Sequence, residues 1–139
     1  MSNAVPSPLT ALSPLDGRYH GKVAGLRDHF SEHGLIRNRV KVEIEWLKAL
    51  AAEPRLAEIA PFSSATIAEL DGVVAQFSTD DGEAVKAIEA TTNHDVKAME
   101  YWLKTRLGHN AEVMKVSEFI HFACTSEDIN NTSHALMLA

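Results

Sequence analysis

Residues 36–51, "IRNRVKVEIEWLKALA", decide the class of fold. Their apolar side chains recur three or four positions apart, which is the spacing of one face of an α-helix. Charged residues fill most of the positions between them, so one face predicts a core contact and the other predicts exposure to water. The residues of the predicted buried face are Ile36, Val40, Ile44, Leu47 and Ala51.

The same helical spacing continues on both sides of this stretch. A short helix over residues 23–32 is expected to end at Gly34. Asp80 and Glu83 have the spacing of a capping box, which predicts a helix start. No convincing alternation of apolar and polar residues predicts a strand, so the fold class is all-α. The other predicted helices cover residues 67–77, 83–107 (disturbed near 91–95), 112–122 and 128–139.

Composition limits the classes of function. The chain has 139 residues, which suits one compact domain, and its net charge of −6 argues against a broad nucleic-acid-binding surface, though not against a local anion site. A single cysteine, Cys124, excludes an internal disulfide and predicts a reducing compartment. No apolar run approaches the roughly 20 residues of a membrane span, and "MSNAVPSPLT" is not a secretory signal. We therefore expect a cytoplasmic protein without membrane or nucleic-acid partners.

Both ends of the chain carry signals. Residues 1–21 predict an extended segment with turns, in which Asp16-Gly17 presents Arg18 and Tyr19. Part of "MSNA" is a candidate expression remnant. The last stretch, "NTSHALMLA", is helical in pattern but has no glycine, proline or basic last turn. We interpret it as a cut through a helix, the alternative being a natural frayed terminus.

The junction "TSED", residues 125–128, allows two interpretations. It matches a capping box in which Thr125 caps the last helix and Asp128 completes the box. The same helix N-terminus exposes unpaired N–H groups and partial positive charge, to which Ser126 adds a hydroxyl, and so it suits a phosphate or carboxylate. The residues alone leave both interpretations open.

A second polar group, "TTNHD" at residues 91–95, interrupts a helical region. Thr and Asn are weak helix formers that compete for backbone hydrogen bonds, so their clustering needs a reason. One interpretation is a solvated helix face with an exposed histidine. The other is a polar cluster that projects into a cleft, in which His94 donates, accepts or carries charge near neutral pH.

Other chemistry-bearing residues give weaker signals. His29 and His33 match the H-x-x-E-H pattern of one zinc peptidase class, but no third ligand stands out, so a solvated pair is the favoured interpretation. Cys124 has no C-x-x-C partner and is expected to be a packed residue. Trp46 and Trp102 lie within helical patterns and predict core or interface positions.

Three segments together resemble one family: "SPLDGRY" at 13–19, "TTNHDVKAMEYWLK" at 91–104 and "SEFIHFACTSEDINN" at 117–131. They are similar to the N-terminal part of the adenylosuccinate lyases, in their longer bacterial form, within the fumarase/aspartase superfamily. The similarity runs along almost the whole chain from Leu9 onward. One departure from the resemblance is Ala123-Cys124, where many members of the family carry glycine after the aromatic residue.

The resemblance implies an activity. The family cleaves adenylosuccinate to AMP and fumarate, and performs the matching cleavage of the succinylated carboxamide ribotide. The reaction is an anti elimination in which a base removes a proton beside a carboxylate and an acid protonates the departing nitrogen. Positioned donors stabilise the carbanion through that carboxylate. The resemblance implies neither a metal nor an organic cofactor.

The resemblance also implies binding roles. Arg18 and Tyr19 would hold the nucleotide, with the Arg18 guanidinium toward its phosphate. Thr125 and Ser126 would bind a succinyl carboxylate at the helix N-terminus. His121 resembles a family histidine close to the same pocket.

The polar network of the substrate site would be completed by Asn93, His94 and Asp95. The family's general-acid histidine and the serine of its mobile loop are expected beyond Ala139, so no catalytic residue is assigned within these residues. The family builds each active site from several subunits of a tetramer.

These implications give a domain division and leave alternatives. Residues 1–21 would be the N-terminal segment, 22–125 the N-terminal helical domain and 126–139 the truncated first helix of a central bundle. That helix is expected to expose an apolar face with Ile129, Leu136 and Leu138. The alternatives are another lyase of the superfamily, such as an argininosuccinate lyase or a fumarase, and a freestanding helical binding module.

Overall fold

The computed structural model describes residues 7–139, and within them every regular element is a helix. The all-α prediction is confirmed, and the expectations for residues 1–6 lie outside the described part. Two short 3-10 helices accompany the α-helices, at Ala24–Leu26 and Ser117–Phe119. The α-helices are α1 (Arg27–Phe30), α2 (Glu32–Ala52), α3 (Ser64–Ala75), α4 (Thr79–Thr92), α5 (Asp95–Arg106), α6 (Ala111–Lys115) and α7 (Ser126–Leu138).

Helix α2 lies at the centre of the fold. The five residues predicted for its buried face are all buried, and Val40, Ile44 and Leu47 have no exposed surface. Helix α7 packs along α2, α4 packs along α5, and both α3 and α5 contact α2. Burying this apolar stripe stabilises the fold by about 25 cal/mol per Å² of apolar surface removed from water.

The core between these helices contains one of the two tryptophans. Trp102 of α5 meets the Phe77 ring edge-on, with the ring centroids 5.3 Å apart. Trp46 is partly exposed on α2, and its indole N–H donates to the Phe122 carbonyl oxygen at 2.8 Å. The prediction of a core or interface position is therefore confirmed for Trp102.

The predicted helix end at Gly34 is wrong. Helix α2 begins at Glu32, after Ser31, whose hydroxyl accepts a hydrogen bond from the Gly34 N–H at 3.1 Å. A Cβ at position 34 would lie 2.8 Å from the Asp28 carbonyl oxygen and 2.9 Å from that of His29. This glycine therefore permits α1 to approach α2 closely, and the chain breaks at Ser31.

The long helix predicted over residues 83–107 is two helices. Asn93 adopts the left-handed conformation, with φ 50°, and ends α4, while α5 begins at Asp95. The capping box was predicted at Asp80 and Glu83, but Ser78 and Asp81 form it, and α4 begins at Thr79. The disturbance expected near residues 91–95 is thus a complete break.

The C-terminal third departs from the prediction in detail. Residues 112–122 contain only α6 and a 3-10 helix, and α7 begins at Ser126 instead of residue 128. The helix predicted to run to Ala139 ends one residue earlier, at Leu138. The expected apolar face of α7 is only partly exposed, because Ile129 is 1% exposed in the core while Leu138 is 79% exposed. None of the helices in residues 7–139 combines the length and apolarity that a membrane crossing requires.

Candidate functional site

The N-terminus of α7 is closed by the predicted capping box. The Thr125 N–H and hydroxyl donate to Oδ2 of Asp128 at 2.7 and 2.8 Å, and the Asp128 N–H donates back to the Thr125 hydroxyl at 3.4 Å. These bonds from the Thr125 N–H and hydroxyl hold the pKa of the Asp128 carboxyl below its usual value. The cap interpretation of "TSED" is therefore correct for Thr125.

Ser126 differs from its neighbour. Within residues 7–139 its hydroxyl makes no hydrogen bond, and the N–H groups of Ser126 and Glu127 also donate to no protein atom. First-turn N–H groups have no intrahelical acceptor and carry the positive end of the helix dipole. The first turn of α7 thus offers three donors to an anion.

Asn93 and His94 are exposed at the junction between α4 and α5. The Asn93 N–H ends α4 by donating to the Glu89 carbonyl oxygen at 2.8 Å. His94 caps α5, because its Nδ1 accepts from the Lys97 N–H at 3.2 Å. A neutral His94 therefore carries its proton on Nε2, which is a donor.

Asp95 joins this junction to α7 through a residue that the sequence analysis missed. The Arg39 guanidinium donates to Oδ2 of Asp95 at 2.6 Å and to Oδ1 of Asn130 at 2.8 Å. Burial alone would raise the pKa of Asp95, but the Val96 N–H and the Arg39 charge outweigh it and lower that pKa. Arg39 thus links residues 93–95 to the helix that begins at Ser126.

His121 is held by Glu43 of α2, a second residue that the sequence patterns did not identify. Nδ1 of His121 lies 2.6 Å from Oε1 of Glu43, and its backbone N–H donates to Oε2 at 3.0 Å. His121 has a φ of 66°, in the left-handed region. Since an ionised Glu43 only accepts, Nδ1 carries the proton, and Nε2 of a neutral His121 is an acceptor.

Arg18 and Tyr19 lie apart from these groups. The Gly17 turn presents them as predicted, and Arg18 donates to the Tyr19 hydroxyl at 2.6 Å and lies 4.6 Å above its ring. Within residues 7–139 neither side chain hydrogen bonds to another predicted site residue. The fold therefore connects residues 93–95, 121 and 125–126 through α2, and leaves Arg18 and Tyr19 as a separate surface pair.

The far end of α7 contributes nothing to these groups. Ala139 is exposed, follows the last residue of the helix and brings no polar side chain to the candidate site. The general-acid histidine and the loop serine expected beyond Ala139 stay predictions.

The site is an open surface, and an apolar groove lies beside the start of α7. This groove, of about 600 Å³ between α2 and α7, has a mainly apolar lining that includes Trp46, Cys124 and Ile129. His94, Thr125 and Ser126 do not line it. Arg18 lines a different groove, together with residues between Ser7 and Pro14.

The missed residues left a signal in the sequence. Arg39 and Glu43 lie three positions after Ile36 and Val40, on the side of α2 that the apolar pattern predicts to be buried. Charged residues are rarely buried unless they are paired. Two of them at such positions predict buried partners, but the partners lie 56 to 91 residues away, where the helical pattern carries no information.

The metal interpretation of His29 and His33 gains no support. No group of three or more His, Cys, Asp or Glu side chains within residues 7–139 is arranged to hold a metal ion. His33 is half-buried against the Phe77 ring, at 5.4 Å, so the pair is not fully solvated as expected. Burial raises the pKa of the Cys124 thiol, which agrees with an unreactive packed residue.

Comparison with known proteins defines the class. Residues 17–139 match the model of the lyase family, and the chain belongs to this family. The chain is 60% identical over 133 residues to the adenylosuccinate lyase of Haemophilus influenzae, covering 96% of this chain and 29% of that protein.

Two further relatives bear the same name. The identity is 58% over 132 residues with the adenylosuccinate lyase of Escherichia coli K12 and 56% over 132 residues with that of Vibrio cholerae. Each alignment covers 95% of this chain and 29% of the relative. The chain thus spans about three tenths of the length of these curated relatives, and its family resemblance is confirmed.

Proposed function

We propose that this chain is the N-terminal part of an adenylosuccinate lyase. The full-length protein would cleave adenylosuccinate to AMP and fumarate, and the succinylated carboxamide ribotide to its carboxamide and fumarate, in purine nucleotide synthesis. The observation that carries this proposal is the unpaired donor set at the start of α7, close in the chain to His121 and linked through Arg39 to residues 93–95.

The start of α7 would bind a succinyl carboxylate. The Ser126 hydroxyl and the N–H groups of Ser126 and Glu127 have no protein acceptor within residues 7–139, so a bound carboxylate would not have to displace an existing bond. A hydrogen bond to such a charged group is worth about 1.5–3 kcal/mol. The Thr125 hydroxyl is already engaged with Asp128, so its main role would be to fix the turn.

The two histidines would act as complementary partners of the substrate. His94 in its capping tautomer offers a donor at Nε2, and His121 bound to Glu43 offers an acceptor at Nε2. Asn93 and Asp95 would complete the polar lining, with Asp95 held by Arg39. Such fixed dipoles and donors suit an elimination that develops negative charge on a carboxylate.

Arg18 and Tyr19 would bind the nucleotide. A guanidinium can donate to two phosphate oxygens, and Tyr19 at 2.6 Å holds one of the Arg18 nitrogens in place. The substrate has a phosphate at one end and two carboxylates at the other. The substrate would then bridge the surface pair and the start of α7.

The remainder of the proposal concerns the whole enzyme. Residues 22–125 would form the N-terminal domain after the segment 1–21, and residues 126–139 would begin the central helical bundle of a cytoplasmic homotetramer. The general acid and the loop serine would come from beyond Ala139, without a cofactor. Because elimination needs both proton transfers, the 139-residue chain alone would not turn over substrate.

The test is turnover by the full-length protein. Adenylosuccinate, argininosuccinate and malate are offered separately, and cleavage is followed by absorbance. We expect turnover of adenylosuccinate alone. Preference for either of the other two substrates would contradict the proposal in favour of another lyase of the superfamily, and no turnover of any would favour a binding module. The 139-residue chain is the control, and activity in it comparable to the full-length protein would contradict the assignment of later catalytic residues.

A further inference from the structure

Glu43 is the carboxylate that this fold buries most completely among residues 7–139. It has 0% exposed surface, and no lysine or arginine forms an ion pair with it. Removing a carboxylate from water is strongly unfavourable unless other groups compensate for the lost hydration. An apolar residue would serve better at this position of α2 if packing were the only requirement.

Within residues 7–139 the compensation comes from one residue alone. Oε1 of Glu43 meets Nδ1 of His121 at 2.6 Å, and Oε2 accepts the backbone N–H of His121 at 3.0 Å. The two residues are 78 positions apart, so the contact is set by the packing of α2 and not by local structure. Both carboxylate oxygens are committed to the same histidine.

The two contacts together fix both the backbone conformation and the ring orientation of His121. The bond to the backbone N–H holds His121 at a φ of 66°, which residues with a side chain rarely adopt. The bond to the ring sets the orientation of the imidazole, and an ionised Glu43, which can only accept, requires the proton on Nδ1. Nε2 is then left for a ligand, and the side chain of His121 is 21% exposed.

The charged groups around the pair do not offer an alternative partner. The pKa of the Glu43 carboxyl is raised, because burial outweighs the opposing bonds and charge of His121. The charge of Glu100 adds to the rise. The charge of Glu43 raises the pKa of the Cys124 thiol in the loop, and the charge of His121 lowers the pKa of Asp128 in α7. Among residues 7–139, no cation other than a protonated His121 lies within ion-pair distance of Glu43.

We propose that Glu43 is a positioning residue of the elimination, which holds His121 with its proton on Nδ1 and leaves Nε2 to bind the substrate. This inference rests on the proposed function and deepens it, because it names the group that prepares one of the two histidines. Glu43 itself is buried and does not touch the substrate.

Glu43→Gln tests this role in the full-length protein. Glutamine has almost the same shape, but only one of its two terminal atoms accepts a hydrogen bond. If its oxygen accepts the backbone N–H, its amide N–H faces Nδ1 and favours the opposite tautomer of His121. We expect kcat/KM for adenylosuccinate to fall about 10- to 100-fold, as for loss of a hydrogen bond to a charged group.

Glu100→Gln is the matched control. Glu100 is also a buried carboxylate, 5% exposed, but its partners are Lys97 at 2.8 Å and Lys104 at 3.2 Å. We expect this variant to lower the thermal unfolding midpoint and to keep kcat/KM close to that of the wild type. An equal loss of kcat/KM in both variants would overturn the proposal, because buried charge alone would then explain it.

Two further measurements separate positioning from stability. In ¹⁵N-histidine-labelled protein, solid-state NMR distinguishes protonated from unprotonated ring nitrogens, and the His121 signals are those absent from His121→Gln. We expect the His121 proton to leave Nδ1 in Glu43→Gln. We also expect Glu43→Gln to lower kcat/KM no further once His121→Gln is present. An unchanged tautomer or additive losses would overturn the positioning role.

The outcomes distinguish this proposal from the function on which it rests. A wild-type protein that does not cleave adenylosuccinate overturns the proposed function, whereas the tautomer measurement still decides what Glu43 does to His121. If Glu43→Gln does not fold, Glu43→Asp replaces it, since it keeps the charge but is one methylene too short for both contacts. A folded Glu43→Asp protein with wild-type kcat/KM would overturn the proposal, and a reduced value would support it.

Discussion

Replacing Ser126 and Thr125 by alanine, one at a time, separates substrate binding from helix capping. The Ser126 hydroxyl has no protein partner within residues 7–139, so Ser126→Ala should destabilise the fold by less than about 0.5 kcal/mol. In the proposed complex the same hydroxyl donates to a carboxylate, a bond worth about 1.5–3 kcal/mol. We therefore expect kcat/KM to fall about 10- to 100-fold.

Thr125→Ala should affect the fold more and for a different reason. The lost hydroxyl donates to Asp128 at 2.8 Å and caps its N–H at 3.4 Å, so the cap loss should cost about 1 kcal/mol. The Thr125 N–H at 2.7 Å still holds the Asp128 carboxylate, which keeps the cost near the middle of the range for caps. Thr125→Ser is the control, since it keeps the hydroxyl and should restore the unfolding midpoint.

The assay measures thermal unfolding and kcat/KM for adenylosuccinate in the full-length variants. Ser126→Ala is expected to unfold close to the wild-type midpoint with reduced kcat/KM, and Thr125→Ala is expected to show a lower midpoint. Wild-type kcat/KM in Ser126→Ala would refute the reasoning, because the start of α7 would then be only a helix cap. A fall in its midpoint larger than that of Thr125→Ala would refute the assignment of the cap.

Three more predictions concern stability. Arg39→Met should cost about 2 kcal/mol, less than the about 3–5 kcal/mol of a fully buried pair, because the Asp95 side chain is 41% exposed. Gly34→Ala should cost about 1–3 kcal/mol through its backbone clash, whereas Gly72→Ala, with open space around its Cβ, should stabilise by about 0.5–1 kcal/mol. For Glu100, burial raises the pKa but bonds from two lysines outweigh this and lower it from 4.5. Its stabilising contribution is complete above pH 4.5 and is lost as the pH falls through the lowered value, so Glu100→Gln should flatten the acid side of the stability profile.

Urea unfolding at several pH values checks all three. An Arg39→Met protein as stable as the wild type would show that the link between α5 and α7 contributes nothing. Equal effects of the two glycine substitutions would contradict the close approach at Gly34. An acid stability profile that Glu100→Gln leaves unchanged would show that the lysine contacts do not favour the charged carboxylate.

The apolar pattern predicted the centre of the fold because burial acts on one face of each helix. Ile44 and Leu47 are fully buried as predicted, and the spacing alone identified α2. The pattern failed at Asn93, because the apolar spacing continues through a single residue in the left-handed conformation. It failed at Gly34 because the glycine is needed by a neighbouring helix and not by a helix end.

The sequence indicated the candidate residues of the site, but not the residues that hold them in place. Local patterns identify the Thr125 cap and the polar interruption that contains His94, since caps and turns depend on residues close in the chain. Arg39 and Glu43 act across 56 and 78 positions, and only the assembled helices bring them to Asp95 and His121. The resemblance to a family named the candidate binding residues, and the physical reason for their arrangement came from packing.

The three residues other than glycine with positive φ in residues 7–139 are Asn93, His121 and Ala123, and all lie in the two segments that supply the candidate site. A left-handed backbone costs such residues about 1–2 kcal/mol each, least for asparagine. Selection for heat resistance in the laboratory should therefore accept glycine at Ala123 early, although glycine is usually unfavourable elsewhere. At His121, glycine would remove the same backbone cost but also the imidazole that we propose binds the substrate. This position should therefore stay histidine only while turnover is selected as well.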